Sequence, residues 1–131
     1  MHITLESDYA VRIVTFLAQQ QTRFDAKTIS ENTEVTLRFA LKILRKLVAS
    51  KIVRSYKGTT GGYELMKTPD KITLADVIGA IEGPYYFSRC LNPENGCPRV
   101  NNCGCKASKV FAEISKTVSN KLSKTTFDQL I

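Results

Sequence analysis

The stretch TLRFALKILRKLVAS, residues 36–50, constrains this chain more than any other. Leu37, Ala40, Leu41, Leu44, Leu47 and Val48 recur at steps of three and four, the period that lines one face of an α-helix. Arg38, Lys42, Arg45 and Lys46 fall on the other side. Thr36 stands where a helix wants a side-chain oxygen to accept from its first free amides. Such a helix must bury one face in a small domain and present cations outward. A shorter helix over 26–32 precedes it, joined by the turn Thr33-Glu34-Val35. Helix, tight turn and a second helix with a basic outer face form the helix-turn-helix pattern.

The segment that follows, IVRSYKGTTGGYEL, changes period. Ile52, Val53 and Tyr56 suit one strand, Tyr63 and Leu65 the return strand, and KGTTGG the tip between them. A hairpin placed directly behind a helix-turn-helix is a wing. Lys57, Gly58 and Thr59 would sit at its tip, where glycine lets backbone come close to a phosphate or a minor groove.

Three further helices complete the reading. Residues 8–20 place Ala10, Val11, Val14, Leu17 and Ala18 on one side, with Ser7 as a candidate N-cap. Thr73 and Asp76 frame a capping box that opens a helix over 74–82, and Gly83-Pro84 ends it. The longest helix spans 106–122, with Ala107, Val110, Phe111, Ile114, Val118 and Leu122 along a narrow stripe. TTFDQLI closes the chain as a short capped turn. The expected fold class is mainly α with a small β-hairpin wing: a winged helix-turn-helix domain and a long C-terminal dimerisation helix. The divisions are 1–83 for DNA binding, 84–105 for a cysteine-rich loop, and 106–131 for the dimerisation helix and terminal turn.

Charge agrees with a polyanion partner. The chain carries a net +7, and residues 31–60 concentrate Arg38, Lys42, Arg45, Lys46, Lys51, Arg54 and Lys57 against Glu31 and Glu34. Charge alone fits a solvated helix face equally well. No apolar run approaches a membrane span, and MHITLESDYA lacks the layout of a signal peptide, so the expected location is the cytoplasm, with no membrane partner. No nucleotide-binding glycine motif or catalytic His/Cys pairing is visible, which argues against an enzyme or an electron carrier.

All four cysteines fall within CLNPENGCPRVNNCGC, residues 90–105, spaced Cys-x6-Cys-x5-Cys-x-Cys. In a reducing compartment such clustering favours metal or redox chemistry over structural disulfides. Thiolates are soft donors, and a loop with Pro93, Gly96, Pro98 and Gly104 can turn several sulfurs toward one small volume. An iron–sulfur cluster, zinc and a redox-active thiol pair all remain open on spacing alone, although structural zinc sites more often use Cys-x2–4-Cys knuckles.

Taken in order, MHITLESDYAVRIV, ISENTEVTLRFALKILRKLVASKIV, GTTGGYEL, ITLADVIGAIEG, the cysteine segment and TTFDQLI resemble the winged-helix regulators of the IscR/NsrR type (the Rrf-two family) over essentially the whole chain. The resemblance implies a homodimer crossed through the long C-terminal helix, binding double-stranded DNA at an imperfect palindrome. It implies a transcriptional regulator, typically a repressor, controlled by a 4Fe-4S or 2Fe-2S cluster that senses nitric oxide, redox stress or iron–sulfur status. A zinc-stabilised or thiol-redox regulator without iron is the alternative.

Cys90, Cys97 and Cys103 match the spacing of the family's cluster ligands, and Cys105 is additional. IscR places a histidine three residues after its third cysteine. Lys106 stands there here, and an ammonium is a poor iron ligand. The only histidine, His2, is a terminal side chain. In some NsrR proteins an aspartate from the partner's first helix completes the cluster, with an arginine one turn later. Asp8 and Arg12 occupy those positions, which leaves Asp8 of the partner subunit and Cys105 as competing fourth ligands. An i, i+4 surface ion pair is an equally good account of Asp8 and Arg12. Thr36, Arg38, Phe39, Lys42 and Arg45 on the third helix, with Lys57, Gly58 and Thr59 on the wing, are the expected DNA contacts.

Overall fold

A computed structural model describes residues 2–98 and 104–131. The described chain contains five α-helices and one antiparallel hairpin in the order α1 (Leu5–Gln20), α2 (Ala26–Thr33), α3 (Leu37–Ala49), β1 (Val53–Tyr56), β2 (Gly62–Leu65), α4 (Leu74–Glu82) and α5 (Lys106–Lys124). Short 3-10 turns at Pro69–Lys71, Arg89–Leu91 and Phe127–Gln129 punctuate the second half. No helix among the described residues is long and apolar enough to cross a membrane.

Local chemistry accounts for the boundaries. Thr4, not Ser7, caps α1: its hydroxyl oxygen accepts the Ser7 amide at 3.2 Å. Ser7 is instead inside the helix and buried. Asp25 caps α2 by accepting from the Thr28 amide at 2.7 Å. Glu34 ends that helix in the left-handed region (φ 54°), and this makes the turn tight. Val35 then inserts its side chain into the core, and the Ser30 hydroxyl donates to the Val35 carbonyl at 2.6 Å. Thr36 caps α3, and Thr73 and Asp76 form the expected reciprocal capping box on α4.

The hairpin pairs Val53 with Leu65, Arg54 with Glu64, Ser55 with Tyr63 and Tyr56 with Gly62. Phe24, in the α1–α2 connection, bridges to the other edge of β2: its amide donates to the Tyr63 carbonyl at 3.0 Å, and Tyr63 returns the bond at 2.7 Å. Gly62 permits that approach, because a Cβ there would lie 2.6 Å from the Phe24 carbonyl oxygen.

One core unites α1, α2, α3, α4 and the hairpin. Ala10, Ile13, Val14, Leu17 and Ala18 of α1 pack with Ile29, Val35, Ala40, Ile43, Leu44, Leu47, Ile52, Val53, Ile72 and Val77. The buried stripe of α3 is rotated from the sequence expectation. Ile43 is fully buried, whereas Leu37 and Leu41 are 44% and 38% exposed. The i, i+3, i+4, i+7 ladder Ala40-Ile43-Leu44-Leu47 faces the core shared with α1, α2 and α4, Leu41 lies one step off it, and Leu37 stands at the exposed first position of the helix.

The C-terminal segment belongs to this same core. Phe127, in the terminal 3-10 turn, is the largest fully buried side chain. Its amide donates to the Ile72 carbonyl at 3.0 Å, the Leu74 amide donates to the Thr125 carbonyl at 2.9 Å, and Thr73 and Thr126 bridge antiparallel. The chain thus leaves the domain through α5 and returns to close it. α5 is otherwise loosely held: none of its residues is buried, Phe111, Ile114, Val118 and Leu122 are half-buried, and Val110 is 52% exposed.

A carboxylate from α4 fastens the start of α1. Glu82 Oε1 accepts from the Thr4 amide at 2.9 Å, the Thr4 hydroxyl at 2.8 Å and the Ser7 hydroxyl at 2.5 Å. Burial pushes the Glu82 carboxyl up, but the bonds from Ser7 and Thr4 outweigh it and hold the group below the usual carboxylate range. A depressed carboxyl stabilises the fold above its unfolded pKa and loses that contribution as pH falls through its folded value. The stability gap between wild type and Glu82→Gln, followed by urea denaturation, should therefore be full at neutral pH and close below the ordinary carboxylate range. Phe127→Ala should cost about 3–5 kcal/mol in the same assay, the range for emptying a fully buried phenylalanine site.

Candidate nucleic-acid interface and cysteine segment

The outer face of α3 is built by the inner one. With Ala40, Ile43, Leu44 and Leu47 fixed against the core, Arg38, Leu41, Lys42 and Arg45 share the opposite side and, with Phe39, line one open depression. Arg38, Lys42 and Arg45 are exposed, as are Lys57, Gly58 and Thr59 at the hairpin tip. The Thr36 hydroxyl accepts the Phe39 amide at 3.4 Å, so Thr36 serves the helix start from an exposed position. Phe39 is outside the core and meets Tyr9 of α1 edge-on, ring centroids 5.9 Å apart.

Two residues of this face were not legible as such. Leu41 was expected inward, and only the rotation at which α3 packs puts it with Arg38, three residues before it, and Arg45, four after. An apolar group among three cations suits a major groove, where the thymine methyl is the apolar feature on offer. Glu6 is the other. From the first turn of α1 its carboxylate pairs with Lys42 and, at 2.9 Å, with Lys46. Hydrogen bonds from Lys42 and then Lys46 hold the Glu6 carboxyl below its usual range. No local pattern joins residues 36 and 40 positions apart, so only the packing of α1 on α3 reveals this pair.

The cysteine segment leaves α4 at Gly83. A strap then crosses α5: the Phe87 ring lies 5.3 Å from Phe111, and the Phe87 amide donates to the Ser115 hydroxyl at 2.7 Å. Cys90 follows in a 3-10 turn, its sulfur 3.2 Å from the Ser88 hydroxyl. Cys90 and Cys97 are half-buried, Cys105 is exposed at the start of α5, and all three are free thiols. Cys103 lies outside the described residues. Among the described residues no three potential metal ligands come together. Asp8 and Arg12 form a 2.8 Å ion pair on the exposed side of α1, nearly half accessible. The segment's thiols are soft donors on irregular backbone, which fits an iron–sulfur cluster and also fits zinc.

A helix-turn-helix with a basic outward helix and a glycine-rich hairpin beside it defines a winged-helix DNA-binding protein. The family model described as an iron-dependent transcriptional regulator, Rrf2, matches residues 3–131. This chain therefore belongs to the Rrf2 family, whose members are DNA-binding transcriptional regulators and not enzymes. A helix-turn-helix transcriptional regulator of Aquifex aeolicus is 27% identical over 94% of this chain and 86% of its own length. The regulator NsrR of Bacillus licheniformis is 28% identical over 81% of this chain and 76% of its own. Among solved structures, CymR, the global cysteine regulator of B. subtilis, superposes with a TM-score of 0.81 at 23% identity, covering 99% of this chain and 95% of that one. IscR of T. potens superposes with a TM-score of 0.77 at 20% identity, covering 99% and 85%. At these identities the two structures establish the fold, mainly α with a winged helix-turn-helix.

If α3 meets DNA through this face, Glu6 would compete with phosphate for Lys42 and Lys46. Glu6→Gln should bind duplex DNA several-fold more tightly and steepen the slope of log affinity against log salt by about 1–2, since each freed cation adds roughly 0.9 to the slope. Fluorescence anisotropy across a salt series reads both quantities. An unchanged slope would show that neither lysine meets phosphate.

Proposed function

We propose that this protein is a cytoplasmic, homodimeric repressor whose hold on an imperfect palindrome is set by an iron–sulfur cluster in residues 84–105. The observation that carries the reading is the concentration of free thiols in one irregular segment between α4 and α5, in a chain of a family described as iron-dependent. Cys90, Cys97 and Cys103 would supply three ligands. Asp8 of the partner subunit or Cys105 would supply the fourth, with Arg12 beside Asp8 to orient the carboxylate. The bound cluster would supply a redox- and nitric oxide-reactive iron centre.

The chain's own residues would do the rest. α3 enters the major groove, with Arg38, Phe39, Lys42 and Arg45 toward bases and phosphates behind the capping residue Thr36. Lys57, Gly58 and Thr59 carry the wing toward the neighbouring minor groove. The half-buried stripe of α5, with Val110 exposed beside it, suits closure against a second copy, so residues 106–131 would join two DNA-binding units formed by residues 1–83. A ligand donated across that dimer would tie the cluster to the spacing of the two α3 helices.

A second reading, regulation by zinc or by thiol oxidation without iron, draws support from the exposed Cys105 thiol and from the likeness to the cysteine regulator CymR. Anaerobic visible spectroscopy of freshly purified protein, with iron and sulfide assayed on the same sample, separates the two. Broad absorbance between roughly 300 and 600 nm with matching sulfide supports the cluster. A colourless protein with one zinc per chain supports the second reading. Asp8→Ala should bleach the cluster faster in air and shift DNA affinity, and identical behaviour would leave the fourth site to Cys105. Lys57→Ala should weaken binding and lower the salt slope by about one contact's worth.

A further inference from the structure

A hairpin of two four-residue strands is marginal by itself, and the tip of this one extends beyond its last paired rung, Tyr56 with Gly62. Among the described backbone bonds, the tip is closed by one, from the Gly61 amide to the Gly58 carbonyl at 3.0 Å. What reaches the tip from outside is Arg23, in the connection between α1 and α2. Its guanidinium carbon lies 3.3 Å above the centre of the Tyr56 ring, in face-on contact. Its Nη1 donates to the Thr60 carbonyl at 3.0 Å. The methylene stem runs past Gly62, where a Cβ would come within 3.1 Å of Arg23 Cγ. Tyr56 is held in turn by the bond from its hydroxyl to Glu64 across the hairpin.

Arg23 thus grips both the last paired rung and the tip of the wing. Phe24, the next residue, is bonded to Tyr63 through both backbone groups, so the arginine's origin is fixed as well. A planar fork suits this double duty, since one face stacks while an edge donates. A lysine ammonium can do only one of the two.

We propose that Arg23 is a positioning residue for DNA binding, holding the wing tip at the angle from which Lys57, Gly58 and Thr59 reach the duplex. The inference rests on the wing reading above. Its energetic content is preorganisation: without Arg23 the tip must be ordered at the moment of binding, although the contacts made in the complex are the same.

The test is a double-mutant cycle on the duplex that the full-length protein selects from a randomised pool, read by fluorescence anisotropy over a salt series. Arg23→Gln should weaken binding about tenfold with the salt slope unchanged, because no phosphate contact is lost. Arg23→Lys should stay several-fold weak, because its charge survives and its stacking fork does not. In the Lys57→Ala background the penalty for Arg23→Gln should shrink to about twofold or less. Thermal unfolding midpoints within a few degrees of wild type would show that all variants fold. Wild-type binding by Arg23→Gln, or full additivity with Lys57→Ala, would overturn the proposal. A slope reduced by about one would overturn it too, by making Arg23 a phosphate contact. Wild-type binding by Lys57→Ala would bring down the wing reading and this inference together, whereas an effective Lys57→Ala with a neutral Arg23→Gln removes only the latter.

Discussion

The packing of α1 against the rest of the domain is the constraint on which the other features depend. Ala10, Ile13, Val14, Leu17 and Ala18 present one continuous apolar face, and α2, α3 and α4 are seated on it. Ile13, Val14 and Leu17 each contribute about 1.5–3 kcal/mol of transfer free energy, the alanines let the helices approach, and together they fix how α3 is rotated about its own axis. That rotation sends Arg38, Lys42 and Arg45 outward in register. It also expels Leu41 from the core and leaves an apolar side chain in a basic field.

The polar start of α1 does separate work. Within one turn, Thr4 and Ser7 are held by Glu82 from the end of α4, and Glu6 holds Lys42 and Lys46 of α3. Asp8 and Arg12 follow on the exposed side. The end of α4 leads directly into the cysteine segment, so this single turn touches the helix before the thiols and the helix with the basic outer face. On the proposed reading, where Asp8 ligates the partner's cluster, the same turn would carry a change at the cluster to the recognition helix.

Most of the helical architecture was legible from local signals. Thr36, the Thr73/Asp76 box and Gly83 mark helix ends because capping satisfies amides and carbonyls a few residues away. The hairpin was legible because alternation and glycine both act within it. Legibility stopped where partners are far apart in sequence. Ser7 looked like a cap, but Thr4 took that place once Glu82 arrived to fix it. TTFDQLI read as a short capped turn with no place in the core, yet Phe127 is fully buried, because only the return of α5 brings it against Ile72 and α1. The thiols were legible as a group from their positions in the sequence, whereas how they sit relative to one another depends on backbone without a repeating pattern.

By itself, then, the sequence determined the elements, the basic surface and the clustering of soft donors, since periodicity, capping and charge are properties of neighbouring residues. Tertiary structure alone decided which leucine of α3 faces outward and that Glu6 reaches across to its lysines. It alone decided that Arg23 clasps a hairpin more than thirty positions away. Those outcomes are set by the angle and rotation at which whole helices pack, and a packing angle is a property of the assembled core that no short stretch of chain contains.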